Sequence, residues 1–420
     1  MTGGSSLGRF LVVAAIGGCL LRLAFGLGYW TGQPLTRDET EYLSLARSLT
    51  SGDGFVYDEV LRTGPFVPFG RAPGYPAFLA IVGGGRALTS SVPAVVTIAQ
   101  AIVGALGVGL IGLLALRLAG PSAARAAAVL AAVYPPLVWI SGYALSEALF
   151  WPVGLAVAWS FDRTIASRRG EGDLRRVTAA LVCGVLTGAG ILIRPALLFF
   201  LPMAALALVW RRQWTTAGAI TLGTLVVLGP WTLRNVAVHD RAVLVASDGG
   251  VTFWTGNHPL AIGEGDMAAN PALKVDNQRL RSAHPGLTEE EMEPVYYREA
   301  LTWIAAHPAD WLWLELRKVF YLIVPVGPSY TLHSNLYFAA SLLSYVPLLI
   351  VAVIGAALLG GDMARTPGMW LLALSSIATA LVFFPQERFR IPIIDPALIL
   401  LASVALARWR PLRSTAALPG

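Results

Sequence analysis

The apolar residues of the chain gather in long runs that are separated by shorter polar segments. Ten of these runs approach the roughly 20 residues that an α-helix needs to cross the hydrocarbon core of a bilayer. The pattern predicts an all-α polytopic integral membrane protein with a single domain over residues 1–420. The first run is too long for the apolar core of a signal peptide, so we interpret it as an uncleaved span. The predicted spans are 10–30, 92–118, 124–141, 146–161, 177–193, 195–210, 215–233, 338–360, 368–384 and 393–408.

Arginines distinguish the two sides of the predicted bundle. The positive-inside rule assigns the arginine-rich loops to the cytoplasm. With ten spans, both termini are then cytoplasmic, and the segments 31–91 and 234–337 lie on the outer face. The arginines on the inner side are Arg9, Arg117, Arg125, Arg163, Arg168, Arg169, Arg175, Arg176, Arg211, Arg212, Arg365, Arg408, Arg410 and Arg413.

Both outer segments contain patterns typical of helices. In the first segment we predict a helix over about 39–50 and, farther on, a short apolar helix that lies in the membrane interface. Thr288-Glu289-Glu290-Glu291 in the second segment has the capping-box pattern of a helix start. Residues 303–321 are rich in Trp and Leu and are typical of an interfacial helix. An eleventh crossing, paired with a re-entrant return, is the alternative for that stretch.

Composition agrees with a membrane protein. Of the 420 residues, 55% are hydrophobic and 13% are charged, whereas soluble domains carry about 25% charged residues. The net charge is +6, but no Lys/Arg-rich stripe predicts nucleic acid as a partner. Cys19 and Cys183 both fall in apolar runs, which predicts neither a disulfide nor a thiolate metal site. Walker A, GxGxxG and HExxH motifs do not occur, so nothing indicates nucleotide-driven chemistry.

A carboxylate pair follows the first span, in Thr36-Arg37-Asp38-Glu39-Thr40-Glu41-Tyr42. Asp38 and Glu39 at this boundary suit the removal of a proton from a hydroxyl, or the binding of a metal ion. The alternative is structural: Asp38 caps the following helix, and Glu41 completes a capping box. These residues by themselves leave both interpretations open.

Further charged residues lie on the predicted outer face. Glu147 begins the fourth span, and a carboxylate at that depth needs solvent or a partner. Arg194 separates two spans with almost no loop, so its guanidinium needs an anion, either a carboxylate or a phosphate. Arg388 and Arg390 precede the last span; in an extended segment they share one side and clamp one phosphate, with snorkelling to lipid head groups as the alternative. Arg22, inside the first span, is a cation without an obvious partner.

Five stretches, taken in order, resemble bacterial GT-C glycosyltransferases. The group is the one related to protein O-mannosyltransferases and to the aminoarabinose transferases that act on lipid A, and it is glycosyltransferase family 39-like. The resemblance implies a GT-C-like bundle of about 10–12 transmembrane helices, with interfacial helices in two large extracytoplasmic loops. The stretches are Arg37-Asp38-Glu39-Thr40-Glu41-Tyr42, Arg194-Pro195, Pro230-Trp231-Thr232-Leu233-Arg234-Asn235, Gly256-Asn257-His258-Pro259 and Arg388-Phe389-Arg390-Ile391-Pro392.

The resemblance also implies a reaction. A hexosyl or pentosyl group would move from a polyprenyl-phosphate carrier to a hydroxyl of a lipid, glycan or protein acceptor, with inversion, at the outer face of the bacterial inner membrane. Asp38 would be the general base, and Glu39 would orient the acceptor or join Asp38 in binding a divalent cation, which only some family members need. The donor phosphate would be bound by Arg388, Arg390 and Arg194. Residues expected to position donor or acceptor are Arg37, Tyr42, Arg71, Tyr75, Glu147, Asn257 and His258.

A flippase or transporter of polyprenyl-linked lipids, without transferase chemistry, is the alternative function. Such a protein would also bind a phosphate, but transporters usually place broken helices around a site in the middle of the membrane. In this sequence the charged residues gather at one face, which favours transfer. A non-catalytic scaffold would explain the aromatic residues but not the ordered acidic and arginine stretches. Membrane lipids are the remaining expected partner.

Overall fold

The computed structural model describes residues 2–62, 70–86, 89–166, 173–265, 267–332 and 334–409. These ranges are largely helical and contain no β-strand, which confirms the predicted all-α class. The first nine helices are α1 (Thr2–Leu23), α2 (Arg37–Ser51), α3 (Glu59–Arg62), α4 (Gly74–Ile81), α5 (Ala94–Ala119), α6 (Pro121–Val133), α7 (Pro135–Trp139), α8 (Ser146–Ala166) and α9 (Asp173–Ile193). The others are α10 (Phe200–Trp210), α11 (Trp214–His239), α12 (Gly249–Gly256), α13 (Pro271–Ser282), α14 (Glu289–Ala306), α15 (Pro308–Ile323), α16 (Asn335–Leu359), α17 (Pro367–Val382), α18 (Glu387–Arg390) and α19 (Ile394–Arg408).

Several of these helices are long and apolar enough to cross a membrane, so the chain is a multi-pass membrane protein. Helix α6 and the helical turns that follow it, bent by 55°, together qualify as a further span. Pro195–Trp210 and Pro367–Val382 are apolar but shorter, and α19 has only 15 residues. The count of ten to twelve crossings therefore stays a prediction. Within the described residues, the single helices that are long and apolar enough to cross a membrane are Ser6–Tyr29, Ala94–Ala119, Leu174–Ile193, Trp214–His239 and Asn335–Arg365.

Small residues allow these helices to pack backbone against backbone. A Cβ at Gly184 of α9 would lie 2.2 Å from the carbonyl oxygen of Ile220 in α11. One at Gly355 of α16 would lie 1.8 Å from the carbonyl oxygen of Leu401 in α19. Neither position has room for a side chain. Glycine and other small residues at such positions commonly allow membrane helices to approach closely. These close approaches hold α9 against α11 and α16 against α19.

The described part of the first outer segment contains the two predicted helices, and the position of the second one in the membrane interface stays a prediction. Helix α2 covers the predicted helix and ends at Gly52, whose φ of 86° is the left-handed conformation that favours glycine. Helix α4 is the short apolar helix, with Tyr75 and Leu79 fully buried. A Cβ at Gly74 would lie 2.8 Å from the backbone of Ile193. This contact sets α4 directly beside the end of α9, next to Arg194.

The second outer segment confirms one prediction and corrects two. The capping box is confirmed, because the Thr288 hydroxyl accepts from the Glu291 N–H while the Glu291 carboxylate accepts from the Thr288 N–H. Helix α11 continues to His239, so the segment begins later than residue 234. The predicted helix 303–321 is two helices, since Pro308 begins α15 after a break at the preceding residue. Helix α15 does not qualify as a span.

Candidate active site

The start of α2 decides between the two interpretations of Asp38. The cap is Thr36, whose hydroxyl accepts from the Glu39 N–H, and the Glu39 carboxylate accepts from the Thr36 N–H at 2.7 Å. The capping box is therefore Thr36–Glu39, and the prediction that Asp38 caps the helix with Glu41 is wrong. The cap lies two residues earlier because Thr36 has the extended backbone that a cap requires. The side chains of Asp38 and Glu41 are left for other contacts.

Two arginines bind the carboxylate of Asp38. Arg71 Nη2 lies 2.7 Å from Oδ1, and Arg388 Nη2 lies 2.6 Å from Oδ2. Burial would by itself raise the pKa of Asp38, but the two guanidinium groups outweigh it and hold the pKa well below its usual range. The Asp38 side chain remains 22% exposed. Asp38 is thus an ionised carboxylate at the rim of a polar site.

Arg71 connects Asp38 to the rest of α2. Its guanidinium binds Glu41 Oε2 as well as Asp38, and it stacks over the ring of Tyr42 at 5.3 Å. Arg37 approaches Glu41 from the other side, at 3.0 Å. Successive turns of α2 therefore present one carboxylate each to the same arginine, as the helical spacing of residues three apart allows.

A buried carboxylate, that of Glu147, also lies close to Arg388. Glu147, 2% exposed at the start of α8, binds Arg194 Nη1 at 2.9 Å and lies 3.8 Å from Arg388 Nε. The Ser146 hydroxyl accepts from Arg194 at 3.0 Å and from Tyr42 at 3.4 Å. Arg388 thus bridges α2 and α8. We call the group the ion-pair cluster; its members are Asp38, Glu41, Arg71, Glu147, Arg194 and Arg388.

Arg390 does not join this cluster. Residues 387–390 form the short helix α18, in which side chains two residues apart point about 200° apart. The expectation of an extended segment whose two arginines share one side is therefore wrong. Arg390 Nε binds Asp395 Oδ1 at 2.8 Å, and the guanidinium lies 3.4 Å from the centre of the Tyr345 ring. The Arg390 side chain is 3% exposed, whereas that of Arg388 is 24% exposed.

This difference predicts a structural role for Arg390. Arg390→Ala would leave the fully buried Asp395 carboxylate without its cation, which typically costs about 3–5 kcal/mol. We expect a lower unfolding temperature for Arg390→Ala in detergent, and a smaller loss for Arg390→Ala combined with Asp395→Ala. Equal stability of Arg390→Ala and the parent would contradict the structural role.

Glu39 and Asp38 do not form a metal site in this geometry. Both oxygens of Glu39 accept backbone N–H groups, one from Thr36 and one from Ala144 at 2.9 Å. The oxygens of Asp38 are bound to arginines, and no three His, Cys, Asp or Glu side chains come together as ligands anywhere in the described ranges. This donor set does not fit a divalent cation. Glu39 instead joins the start of α2 to the segment before α8.

The side chain of Asn257 forms hydrogen bonds at the outer end of α17. Its Nδ2 donates to the carbonyl of Val382, and Lys318 Nζ donates to that of Leu381, two of the carbonyls that the helix end leaves free. Asn257 Oδ1 accepts from Lys318 at 3.1 Å and from Trp311 at 3.0 Å. Asn257 thus fastens the second outer segment to the helix that precedes α18.

Tyr75 and His258 also contact groups outside the ion-pair cluster. The Tyr75 hydroxyl donates to Gln100 Oε1 at 2.6 Å, although its ring packs edge-on against Tyr42 at 5.0 Å. His258 Nε2 lies 3.0 Å from Asp276 Oδ2. Of the residues expected to position donor or acceptor, the structure brings Arg37, Tyr42, Arg71 and Glu147 to the ion-pair cluster.

Asp248 is a carboxylate beside the site that the sequence analysis did not single out. The Ser247 N–H donates to the Gly70 carbonyl and the Ser247 hydroxyl accepts from the Gly70 N–H, so Asp248 and Arg71 follow two paired residues. Burial raises the pKa of Asp248, and the charges of Arg71 and Arg194 offset this only in part. Within the described residues Asp248 has no ion-pair partner. The only signal in the sequence was the Asp-Gly-Gly pattern of a turn.

Comparison with known proteins supports the expected resemblance. Residues 71–231 match the family model of dolichyl-phosphate-mannose-protein mannosyltransferases. The oligosaccharyltransferase of Archaeoglobus fulgidus, tethered to an acceptor peptide with the NVT sequon, superposes with a TM-score of 0.59 and 14% identity over 96% of this chain and 49% of its own. The oligosaccharyltransferase AglB from Archaeoglobus fulgidus, in complex with an inhibitory peptide and a dolichol-phosphate, gives a TM-score of 0.56 at 14% identity, over 96% of this chain and 50% of its own.

A bacterial structure is also similar, at a lower level. ArnT from Cupriavidus metallidurans bound to undecaprenyl phosphate superposes with a TM-score of 0.39 and 14% identity, over 97% of this chain and 79% of its own. No protein of curated function matches the chain significantly. This chain spans about half the length of the archaeal enzyme, and identities this low show the fold alone. The resemblance is confirmed at that level: the chain is a multi-pass membrane protein with the fold of the GT-C glycosyltransferases, and residues 71–231 match their mannosyltransferase family model.

Proposed function

We propose that this protein transfers a sugar from a polyprenyl-phosphate carrier to an acceptor hydroxyl, with inversion, at the extracytoplasmic face of the bacterial inner membrane. The observation that carries the proposal is the ion-pair cluster. A partly exposed carboxylate, Asp38, lies against arginines from two different parts of the chain at the face predicted to be extracytoplasmic. Such a transfer needs a group that accepts the proton of the acceptor hydroxyl and, next to it, cations that bind the departing phosphate.

Each group has a defined task in the proposed reaction. The acceptor oxygen attacks the anomeric carbon, and the bond between that carbon and the phosphate oxygen breaks. Asp38 takes the proton of the acceptor hydroxyl, while the bonding electrons leave with the polyprenyl phosphate. Arg388 and Arg194 stabilise the negative charge that develops on the phosphate. Arg71 keeps Asp38 ionised and oriented, and no step requires a metal ion.

The contacts of Arg388 suggest how donor binding prepares the base. In the structure, Arg388 neutralises Asp38 at 2.6 Å, which makes Asp38 a weak proton acceptor. A bound donor phosphate competes with Asp38 for the same guanidinium. Once Arg388 turns to the phosphate, the pKa of Asp38 rises toward that of an ordinary buried carboxylate. Donor binding then precedes removal of the acceptor proton.

The proposed extracytoplasmic location of the two outer segments can be tested by labelling introduced cysteines. Ser51 and Ala283 are exposed residues of the two outer segments, and Gly361 is an exposed residue at the opposite end of the bundle. In a background without Cys19 and Cys183, we expect Ser51→Cys and Ala283→Cys to react with an impermeant thiol reagent in intact cells. Gly361→Cys should react only after permeabilisation. Labelling of one outer segment but not the other would contradict a single extracytoplasmic active face.

The proposed activity is tested with purified protein and a panel of radiolabelled polyprenyl-phosphate sugars. We expect one member of the panel to release free polyprenyl phosphate when an acceptor-containing membrane extract is added. Asp38→Asn protein, prepared in the same way, is the matched control and should release none above background. Binding of a panel lipid without release by either protein would favour the flippase alternative.

A further inference from the structure

Arg22 is a buried cation in the first span that the proposed reaction does not use. Its side chain is fully buried in α1, and no carboxylate of the described residues lies within 4.0 Å of it. Its guanidinium instead donates to three backbone carbonyls: that of Gly18 at 3.0 Å, that of Ala131 at 3.1 Å and that of Ala132 at 3.3 Å. A charge inside a membrane span is costly, so these contacts need a reason.

The reason lies in two consecutive prolines. In a continuous helix, the N–H of residue 135 would donate to Ala131 and that of residue 136 to Ala132. Pro135 and Pro136 have no N–H, so both carbonyls lose their helical donors. These are the two carbonyls of α6 that Arg22 binds, one with each terminal nitrogen. The guanidinium therefore replaces the pair of hydrogen bonds that the prolines remove.

The surrounding residues leave space for this one side chain. A Cβ at Gly104 of α5 would lie 2.8 Å from Arg22 Nε, and one at Gly18 would lie 3.0 Å from Nη1. The guanidinium carbon also lies 5.6 Å from the ring centre of Trp151, which is fully buried. Small residues and an aromatic face thus enclose the cation where α1, α5, α6 and α8 meet.

The bend at which Arg22 binds leads directly to the ion-pair cluster. Helix α6 and the turns after it diverge by 55°, and the chain then runs through Tyr143 and Ala144 into α8. Gln100 Nε2 binds the carbonyl of Tyr143 at 2.8 Å, and the Ala144 N–H binds Glu39 at 2.9 Å. Three residues later, Glu147 enters the ion-pair cluster. The direction of the chain after the two prolines therefore sets where Glu147 lies.

We propose that Arg22 is a positioning residue: by binding the carbonyls that Pro135 and Pro136 leave free, it fixes the bend that brings Ala144 to Glu39 and Glu147 to Arg194. Its role in sugar transfer rests on the proposed function. Its effect on the bend does not depend on the proposed function, because hydrogen exchange and stability report the bend separately from activity.

The first experiment follows amide hydrogen exchange of residues 140–147 in the full-length protein in detergent. In Arg22→Met we expect this peptide to exchange roughly 10-fold or more faster, because buried carbonyls lose their donors and the local fold opens more often. Arg22→Lys, with a single nitrogen for two carbonyls, should give a smaller increase. Peptides of α9 and α11 should be unchanged, and Arg125→Met, which removes an exposed arginine of α6, is the matched control. An unchanged rate at 140–147, or the same increase in all peptides, would overturn the positioning role.

The second experiment tests the link between the arginine and the prolines. Arg22→Met should lower the unfolding temperature of the parent. In the Pro135→Ala/Pro136→Ala background the carbonyls regain N–H donors, so the same substitution should cause no loss or a gain, since it removes a buried charge. Single proline variants serve in the same way if the double variant does not fold. An equal loss in every background would show that Arg22 does not act through these carbonyls. If exchange and stability behave as expected but no sugar transfer is found in the parent, only the proposed function fails.

Discussion

Asp38→Asn is expected to fold, to insert and to bind the carrier lipid at least as tightly as the parent does, because the neutral amide competes less with the donor phosphate for Arg388, and to lose sugar transfer. A general base must accept a proton, and an amide cannot do so at neutral pH. Removal of such a base typically costs about 100- to 10,000-fold in rate. Asparagine keeps the shape of the side chain and one oxygen for Arg71 or Arg388, so the fold should tolerate it. Transfer rates of detergent-purified protein at saturating donor measure the loss.

Two further variants make this prediction specific. Asp38→Glu keeps the charge but displaces it by one methylene group, so we expect partial activity at most. Asp53→Asn removes an exposed carboxylate in the turn after α2 and should transfer at the parental rate. Full activity of Asp38→Asn would assign the base elsewhere. Asp248, with its raised pKa and no ion-pair partner among the described residues, would then be the first candidate.

Arg388→Gln is expected to slow transfer by roughly 10- to 1,000-fold. The lower figure is the typical effect of losing one charge-assisted hydrogen bond, and the upper one is that of losing one donor to an oxyanion. Arg388→Lys should recover only part of this loss, because an ammonium group cannot form the two-pronged contact of a guanidinium. Arg279→Gln, which removes a largely exposed arginine of α13, is the control on the same side of the protein. A parental rate for Arg388→Gln would mean that Arg388 is only an ion-pair partner of Asp38.

The same variant carries a prediction about pH. Burial raises the pKa of Asp38, and Arg388 and Arg71 together hold it well below its usual range. Without Arg388 the lowering contribution is smaller, so the pKa of Asp38 rises. The acidic limb of kcat/KM, which reports the free enzyme, should therefore move to higher pH in Arg388→Gln. An acidic limb at the parental pH would show that the titrating group is not Asp38.

Part of the ion-pair cluster can be predicted from the sequence, because charges at the ends of membrane spans converge on one face. Glu147 and Arg194 begin and end spans on the predicted outer side, and the structure places them 2.9 Å apart. Asp38 follows the first span on that side and lies at the same cluster. The predicted topology, together with the cost of an unpaired charge at this depth, is sufficient to predict that these three residues lie close together.

The failures came from local backbone geometry, which the periodicity of apolar residues does not report. Thr36 and Asp38 are both good caps, and the pattern did not show which one has the extended backbone. The sequence pattern predicts an extended turn at Arg388 and Arg390, but residues 387–390 form a helical turn that directs the two side chains apart. The partner of Arg22 was hidden because it consists of carbonyls that two distant prolines leave free.

The central claim, that a sugar leaves its polyprenyl phosphate at the Asp38–Arg388 pair, is tested most directly by product stoichiometry. The donor carries a radiolabel on the sugar and another on the phosphate, and both products are counted for the parent and for Asp38→Asn. We predict one free polyprenyl phosphate for each glycosylated acceptor, inverted at the anomeric carbon, from the parent and almost none from Asp38→Asn. Release at equal rates from both proteins, or movement of intact donor across the bilayer without cleavage, would contradict the claim.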